Sequence, residues 1–367
     1  MLNSSALDAA LEDVHCAGVP GLFAEVRAGD HVWRGAAGVA DVDTGRPVTA
    51  GMRHRVGSIT KTFTAAAVLA QVEQGRIELD KPVGHYLPNL VPGDAITVRM
   101  LINHTSGLAE YLPCAYPSLR AFPDLAKTSP QSLDDHRFTH FDPVELIALG
   151  VGAPAAGAPG STPGLYSNTN YLLLCELLEH VTGTAAEKVI TRDVIERAGL
   201  RDTELPGGTH IDGPHSRLYE SWFGMIDPPR DYSVYDMSWV GPSASLISTV
   251  ADLNRFYARL LAGEVVSRAS LAEMQRTVPV ISQEGKVIPY GLGLHPAEAP
   301  GQPTFWGHGG TVWGGGALAM TRADGGRQLA LALNLQRWNE LDATGRPQPH
   351  PIDAALAAFQ QLALYGE

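Results

Sequence analysis

Three short runs in the chain have residue types suited to acyl transfer. The first is Ser58-Ile59-Thr60-Lys61, placed where a strand-like segment gives way to helical pattern. Residues three apart share a helix face, so Lys61 is expected one turn above Ser58. A serine hydroxyl is a poor nucleophile until a nearby base takes its proton. A lysine can be that base if burial lowers its pKa, or it can hold another base deprotonated. The helix N-terminus adds a field that favours developing negative charge. Alone, the tetrad reads equally well as an N-cap serine on a helix that happens to carry a lysine.

The second run is Tyr166-Ser167-Asn168, just ahead of a helical pattern. A phenol near a lysine ammonium loses its proton more easily, and the two are expected to titrate as one coupled unit. Asn168 offers both a donor and an acceptor to a substrate amide, or else caps the helix that follows. The third run is Gly307-His308-Gly309-Gly310-Thr311, followed by Gly314-Gly315-Gly316. Glycines on a strand allow another backbone to approach closely. Such an edge can present an N–H to an oxyanion and pair with an extended substrate. A Gly-rich bulge with a structural histidine is the competing reading.

The order of the three runs is more telling than any one of them. Ser58-x-x-Lys61, Tyr166-Ser167-Asn168 and His308-Gly309-Gly310 resemble the three motifs of the penicillin-recognising serine enzymes, which include class C β-lactamases, D-alanyl-D-alanine carboxypeptidases and related esterases. Arg55-Val56-Gly57, His104-Thr105-Ser106-Gly107-Leu108, the stretch from Pro163 to Tyr171, and Tyr290-Gly291-Leu292-Gly293-Leu294 extend the likeness from about Ala9 to Leu335. Within that family the chain is most similar to the actinomycete-type D-alanyl-D-alanine carboxypeptidase. The resemblance implies that Ser58 forms an acyl-enzyme while Lys61 and Tyr166 shuttle its proton. It also implies an oxyanion hole from the backbone N–H groups of Ser58 and Thr311. Asn168 is expected to hold the substrate amide, and His308 to support the Tyr166 network. Thr128, Trp239, Gly309 and Gly310 are implied as substrate contacts.

One position departs from this pattern. Where such carboxypeptidases carry an arginine for the substrate's terminal carboxylate, this chain has His295 followed by Pro296. A neutral imidazole does not reproduce a bidentate guanidinium–carboxylate pair. Hydrolysis or acyl transfer on a small amide or ester is therefore the expected activity. The alternatives are an intracellular esterase or biosynthetic transacylase, and beyond these a β-lactamase or a silent binding protein on the same fold.

The elements that must position these residues can be read from periodicity. A short helix capped by Asn3, Ser4 or Ser5 precedes two strands, Gly21–Arg27 and His31–Val39, joined across Gly29-Asp30. Helices are predicted over Ser58–Glu73, ending at Gly75, then over Val98–Asn103 and Asn170–Val181. Strands return at Gly291–His295, Thr304–His308, Gly315–Thr321 and Gln328–Leu335, with an Asp324-Gly325 turn, and Ile352–Leu364 closes the chain as a helix. The fold class is thus α/β, an antiparallel sheet flanked by helices with an inserted, mostly helical lobe. Residues 1–57 and 246–367 are expected to form the sheet lobe, 58–245 the helical lobe, with the site in the cleft between them. The Pro- and Gly-rich segments Pro113–His140 and Gly207–Asp236 are expected to shape that cleft.

Bulk properties narrow the partners. A net charge of -12 lacks the basic face that a duplex binder needs. The longest apolar runs fall short of the ~20 residues of a spanning helix. Cys16, Cys114 and Cys175 are widely spaced, show no zinc pattern and are read as reduced. No metal or organic cofactor is expected, and the oligomeric state is open. Residues 1–13 carry three acids and no basic residue, unlike a signal peptide, so a cytoplasmic enzyme is expected.

Overall fold

The computed structural model describes residues 2–91, 93–120 and 124–366. Helix α1 (Ser4–Cys16) is capped by Asn3, whose side chain accepts the Ala6 N–H, and it buries Leu7, Leu11 and Val14. Strands β1 (Gly21–Ala28) and β2 (His31–Asp41) form the expected hairpin, with Ala28 opposite His31 and Gly29 at φ 57°. A two-residue strand β3 (Arg46–Pro47) follows. The C-terminal strands are β4 (His295–Ala297), β5 (Phe305–Val312), β6 (Gly315–Arg322) and β7 (Arg327–Leu333). Together they make a seven-stranded antiparallel sheet in the order β4-β5-β6-β7-β1-β2-β3, in which the two ends of the chain meet at the β1–β7 pair. A sheet must bury its apolar faces. One is covered by α1 and α5 (Pro351–Tyr365) around Leu22, Trp33, Leu329 and Phe359. The other packs on a larger core that includes α2 (Thr60–Glu73), α3 (Asn168–Thr182) and α4 (Val250–Ala262).

Helix α2 is buried continuously from Thr60 to Gln71, so it has no wet face and runs through the interior. Ser58 does not begin an α-turn as predicted. It sits in a 3₁₀ turn, Gly57–Ile59, immediately before α2. Helix α3 begins two residues earlier than predicted, at Asn168, and ends on Gly183 in the left-handed conformation.

The strand expected at Gly291–His295 is not formed. Gly291–Leu294 is instead a turn, closed by the Gly291 N–H on the Leu294 carbonyl, with Gly293 at φ 79°. A Cβ on Gly293 would sit 2.5 Å from the Ala65 Cβ, so the second glycine is what lets this turn lie against α2. Alternating Gly and Leu mimic a strand period, but here the glycines serve a tight turn. The segments Pro113–His140 and Gly207–Asp236 are tied to each other, through the Arg230–Asp134 pair (2.6 Å) and the Asp236 N–H on the Arg137 carbonyl. Residues 121–123 of the first lie outside the described residues. The three cysteines are free. Among the described residues no helix is long and apolar enough to cross a membrane.

Candidate active site

The site forms where the N-terminus of α2 meets the open edge of β5. Strand β5 pairs with β4 only from Phe305 to Gly307, which leaves Gly309–Val312 facing the Gly57–Ile59 turn. The approach is close enough to require glycine on both sides. A Cβ on Gly310 would lie 1.8 Å from the Val56 carbonyl oxygen and 2.9 Å from the Ser58 nitrogen. One on Gly57, at φ 55°, would lie 2.6 Å from the Thr311 nitrogen. The Ser58 and Thr311 backbones are thereby brought side by side.

Lys61 is fully buried, and its Nζ lies 3.2 Å from Ser58 Oγ and 2.8 Å from Asn168 Oδ1. Burial lowers its pKa to about 7, against the opposing pull of Glu110. Asn168 Oδ1 can only accept, so it must take a hydrogen from Lys61, and a neutral amine then turns its lone pair towards Ser58. The orientation of Asn168 is fixed from behind. Glu110 Oε2 accepts the Asn168 N–H (2.7 Å) and Nδ2 (3.0 Å), while Oε1 accepts the Leu112 N–H (3.0 Å). Glu110 therefore caps α3, because the Ser167 hydroxyl is committed to the Ala109 carbonyl. Sequence reasoning missed Glu110; its one signal was a lone acid two residues beyond His104-Thr105-Ser106-Gly107-Leu108.

Tyr166 is buried, with Lys61 Nζ 5.2 Å from its ring centroid. Burial raises its phenol well above the usual range, although the neighbouring Ser58 hydroxyl pulls it down. This reverses the sequence expectation of an easily ionised phenol: a lysine near neutrality lacks the full charge that was to drive it. His104, at φ 61°, lies 4.1 Å ring to ring from Tyr166, and its Nδ1 accepts the Ser167 N–H. The His104–Leu108 run is thus the floor of the second motif.

His308 does not bond to Tyr166. Its Nε2 is 2.9 Å from the Tyr290 hydroxyl, its Nδ1 faces the Gly309 carbonyl, and the Tyr166 ring lies 6.4 Å away. Burial holds His308 well below the usual histidine pKa and lowers His295 too, so both imidazoles are neutral at pH 7.

A cavity of about 330 Å³ opens on Ser58 and Tyr166. His295, His308, Gly309, Gly310 and Thr311 line it. Thr128 and Trp239 do not. The Thr128 hydroxyl accepts the Arg120 N–H, and Trp239 stacks on Trp313 at 4.3 Å. The described residues of the two irregular segments expected to shape the cleft are also absent from its lining, where the Ser282–Glu284 turn stands instead. No group of three or more His, Cys, Asp or Glu suited to a metal ion occurs among the described residues.

The close approach of Gly310 makes a test. Gly310→Ala is expected to push β5 off the Ser58 turn and lower kcat by about 10²-fold or more, the size of a lost oxyanion donor. Gly309→Ala meets nothing nearer than 3.8 Å and is expected to lose far less in the same steady-state assay.

Comparison with known proteins agrees with this geometry. Residues 8–351 match the family described as Beta-lactamase. The solved structure of a D-stereospecific amidohydrolase from Streptomyces sp. is 32% identical, with a TM-score of 0.83 over 100% of this chain and 99% of that one. Penicillin-binding protein 4* of Bacillus subtilis (strain 168) is 24% identical over 83% of this chain. A D-aminopeptidase of Cereibacter sphaeroides is 28% identical over 91% of it. The chain spans 66% and 60% of the lengths of these two curated relatives. With nearly its whole length matched and the three motifs gathered around one cavity, the chain belongs to the beta-lactamase family.

Proposed function

We propose that the protein is a serine amidohydrolase that works through an acyl-enzyme on Ser58. The observation that carries this reading is the buried Lys61 amine, with a pKa of about 7, set 3.2 Å from Ser58 Oγ. Lys61 takes the Ser58 proton as Oγ attacks the substrate carbonyl. The negative oxygen that forms lies between the Ser58 and Thr311 N–H groups. Tyr166, kept protonated by burial, gives its hydrogen to the leaving nitrogen and is reprotonated from Lys61. The C–N bond breaks and the acyl group stays on Ser58. Water then attacks this ester, losing its proton to the Lys61–Tyr166 pair; the acyl C–Oγ bond breaks, Ser58 Oγ takes that proton, and the acid is released. His308 supports Tyr290 at the cavity wall. Residues 1–57 and 246–367 serve as the sheet lobe and 58–245 as the helical lobe, with the reaction in the cleft.

Amides are favoured as substrates by the intact Tyr166-Ser167-Asn168 run and by the amidohydrolase and aminopeptidase named among the relatives. Carboxypeptidase action on D-alanyl-D-alanine is the finer reading that the sequence suggested. His295 counts against it, because a neutral ring at that wall offers no positive charge to a terminal carboxylate.

The test is intact mass after brief incubation with a fluorescent penicillin, a p-nitrophenyl ester and a D-Ala-D-Ala peptide. A covalent adduct or turnover that disappears in Ser58→Ala is the expected result. Undiminished turnover in that variant would refute Ser58 as the nucleophile.

A further inference from the structure

The Ser282–Glu284 turn brings a carboxylate to the rim of the catalytic cavity. It is a tight reversal between the strands Val278–Ile281 and Val287–Tyr290, closed by the Ser282 N–H on the Lys286 carbonyl and the Gly285 N–H on the Ser282 carbonyl. The Ser282 hydroxyl donates to Glu284 Oε2 at 2.7 Å, which steadies the side chain and leaves the other oxygen free for a ligand. Glu284 is the one charged residue among those described as lining the cavity, and no lysine or arginine shares that wall. Its charge exerts only a minor upward pull on the Tyr166 phenol and the His295 imidazole, where burial sets the direction, raising the first and lowering the second. The two histidines do not offset it, because burial keeps both neutral. The rim is therefore negative, with no fixed cation to receive a carboxylate.

We propose that Glu284 selects the acyl donor by pairing with a cation on it, a free amino group near the scissile carbonyl. The preferred substrates are then amides of amino acids, or peptides cut behind a free N-terminal residue. N-acylated amides and peptides presenting a terminal carboxylate are disfavoured. A half-open site screens such a pair, so the contribution is one of selectivity and not of chemistry. Glu284 is a specificity-determining residue in this scheme, since no proton or bond of the reaction passes through it.

This inference rests on Ser58 as the nucleophile, and the experiment keeps the two apart. Ser58-dependent hydrolysis of p-nitrophenyl acetate, which carries no charge, first checks the nucleophile. Then kcat and KM are measured for D- and L-phenylalanine p-nitroanilide and for their N-acetyl forms, with wild type and Glu284→Gln, at 20 and 300 mM NaCl. Wild type is expected to prefer the free-amine donors. Glu284→Gln is expected to lower kcat/KM for them by about five- to tenfold, mostly through KM, as a partly screened charge pair would. The loss is expected to shrink at high salt, with the N-acetyl substrates and the acetate ester unchanged. Equal effects on charged and acetylated donors, no effect on either, or acetate hydrolysis without turnover of any free-amine amide would each overturn the proposal. Acetate hydrolysis that survives Ser58→Ala would instead overturn the nucleophile on which it rests.

Discussion

Lys61→Met is expected to lower the rate of Ser58 acylation by about 10³-fold, within the 10²–10⁴ that a positioned general base contributes. Methionine keeps the length and apolar body of lysine in a fully buried site but cannot take a proton. The loss should appear in kcat and not in KM, because Lys61 faces Ser58 and Asn168 behind the cavity wall. Folding offers the control. An amine held at about 7 against an ordinary 10.5 binds fewer protons folded than unfolded, so its desolvation cost is fully present below pH 7 and is relieved as pH rises towards 10.5. The variant should therefore melt no lower than wild type at pH 6. An inactive Lys61→Met that also melts well below wild type would point to a structural role instead.

The same pKa fixes the direction of the pH profile. If the neutral amine accepts the Ser58 proton, wild-type kcat/KM should rise through pH 7 and level off above it, with one acidic limb near the value set by burial. Lys61→Arg should be as inactive as Lys61→Met across that range, since a guanidinium stays protonated. A profile already flat from pH 5 upwards would mean that the serine proton goes elsewhere.

How much of this was legible in the sequence depended on whether the information was local. Ser58, Tyr166 and His308 each sit in a run of adjacent residues, and a run survives being read without a structure. The hairpin at Gly29-Asp30 and the left-handed stop at Gly75 were legible for the same reason, because a glycine at a turn acts on its own neighbours. Glu110 was hidden because its importance comes from reaching Asn168, 58 residues away, across a contact with no sequence period. The Tyr166 phenol was given the wrong direction because two effects compete there. A nearby cation lowers such a pKa and burial raises it, and only the structure shows that burial also discharges the lysine. The Gly291–Leu294 turn was misread because the alternation that marks a strand was carried by glycines whose positive φ no strand uses. Glu284 stands on a hairpin turn that composition alone files as exposed loop.

Glu110→Ala is expected to weaken two things at once, and the pairing of the effects is what makes it informative. The substitution orphans three N–H groups, those of Leu112 and Asn168 in the backbone and Nδ2 of Asn168. Unsatisfied donors in partly buried places cost about 1–3 kcal/mol each when no water replaces the partner, so the three together are expected to cost roughly 3–9 kcal/mol. In a chain of this size, where about 1 kcal/mol shifts Tm by little more than 1 °C, that corresponds to a fall in Tm of about 4–12 °C, measurable by circular dichroism. Activity should fall as well, because an unanchored Asn168 amide is free to turn and present Nδ2 to Lys61, where two donors would face each other. Glu110→Gln separates these roles. Its carbonyl oxygen can still accept from Asn168, but its amide cannot accept from Leu112, so it should recover most of the activity and only part of the stability. The pH dependence runs in a defined direction. Burial raises the Glu110 carboxyl above its unfolded value, so its contribution to stability is fullest below that value and declines as pH rises through the folded pKa. The deficit of Glu110→Gln relative to wild type should therefore narrow between pH 5 and pH 8. A deficit that widens over that range would mean that the ionised carboxylate, holding its three N–H donors, is the form the fold prefers.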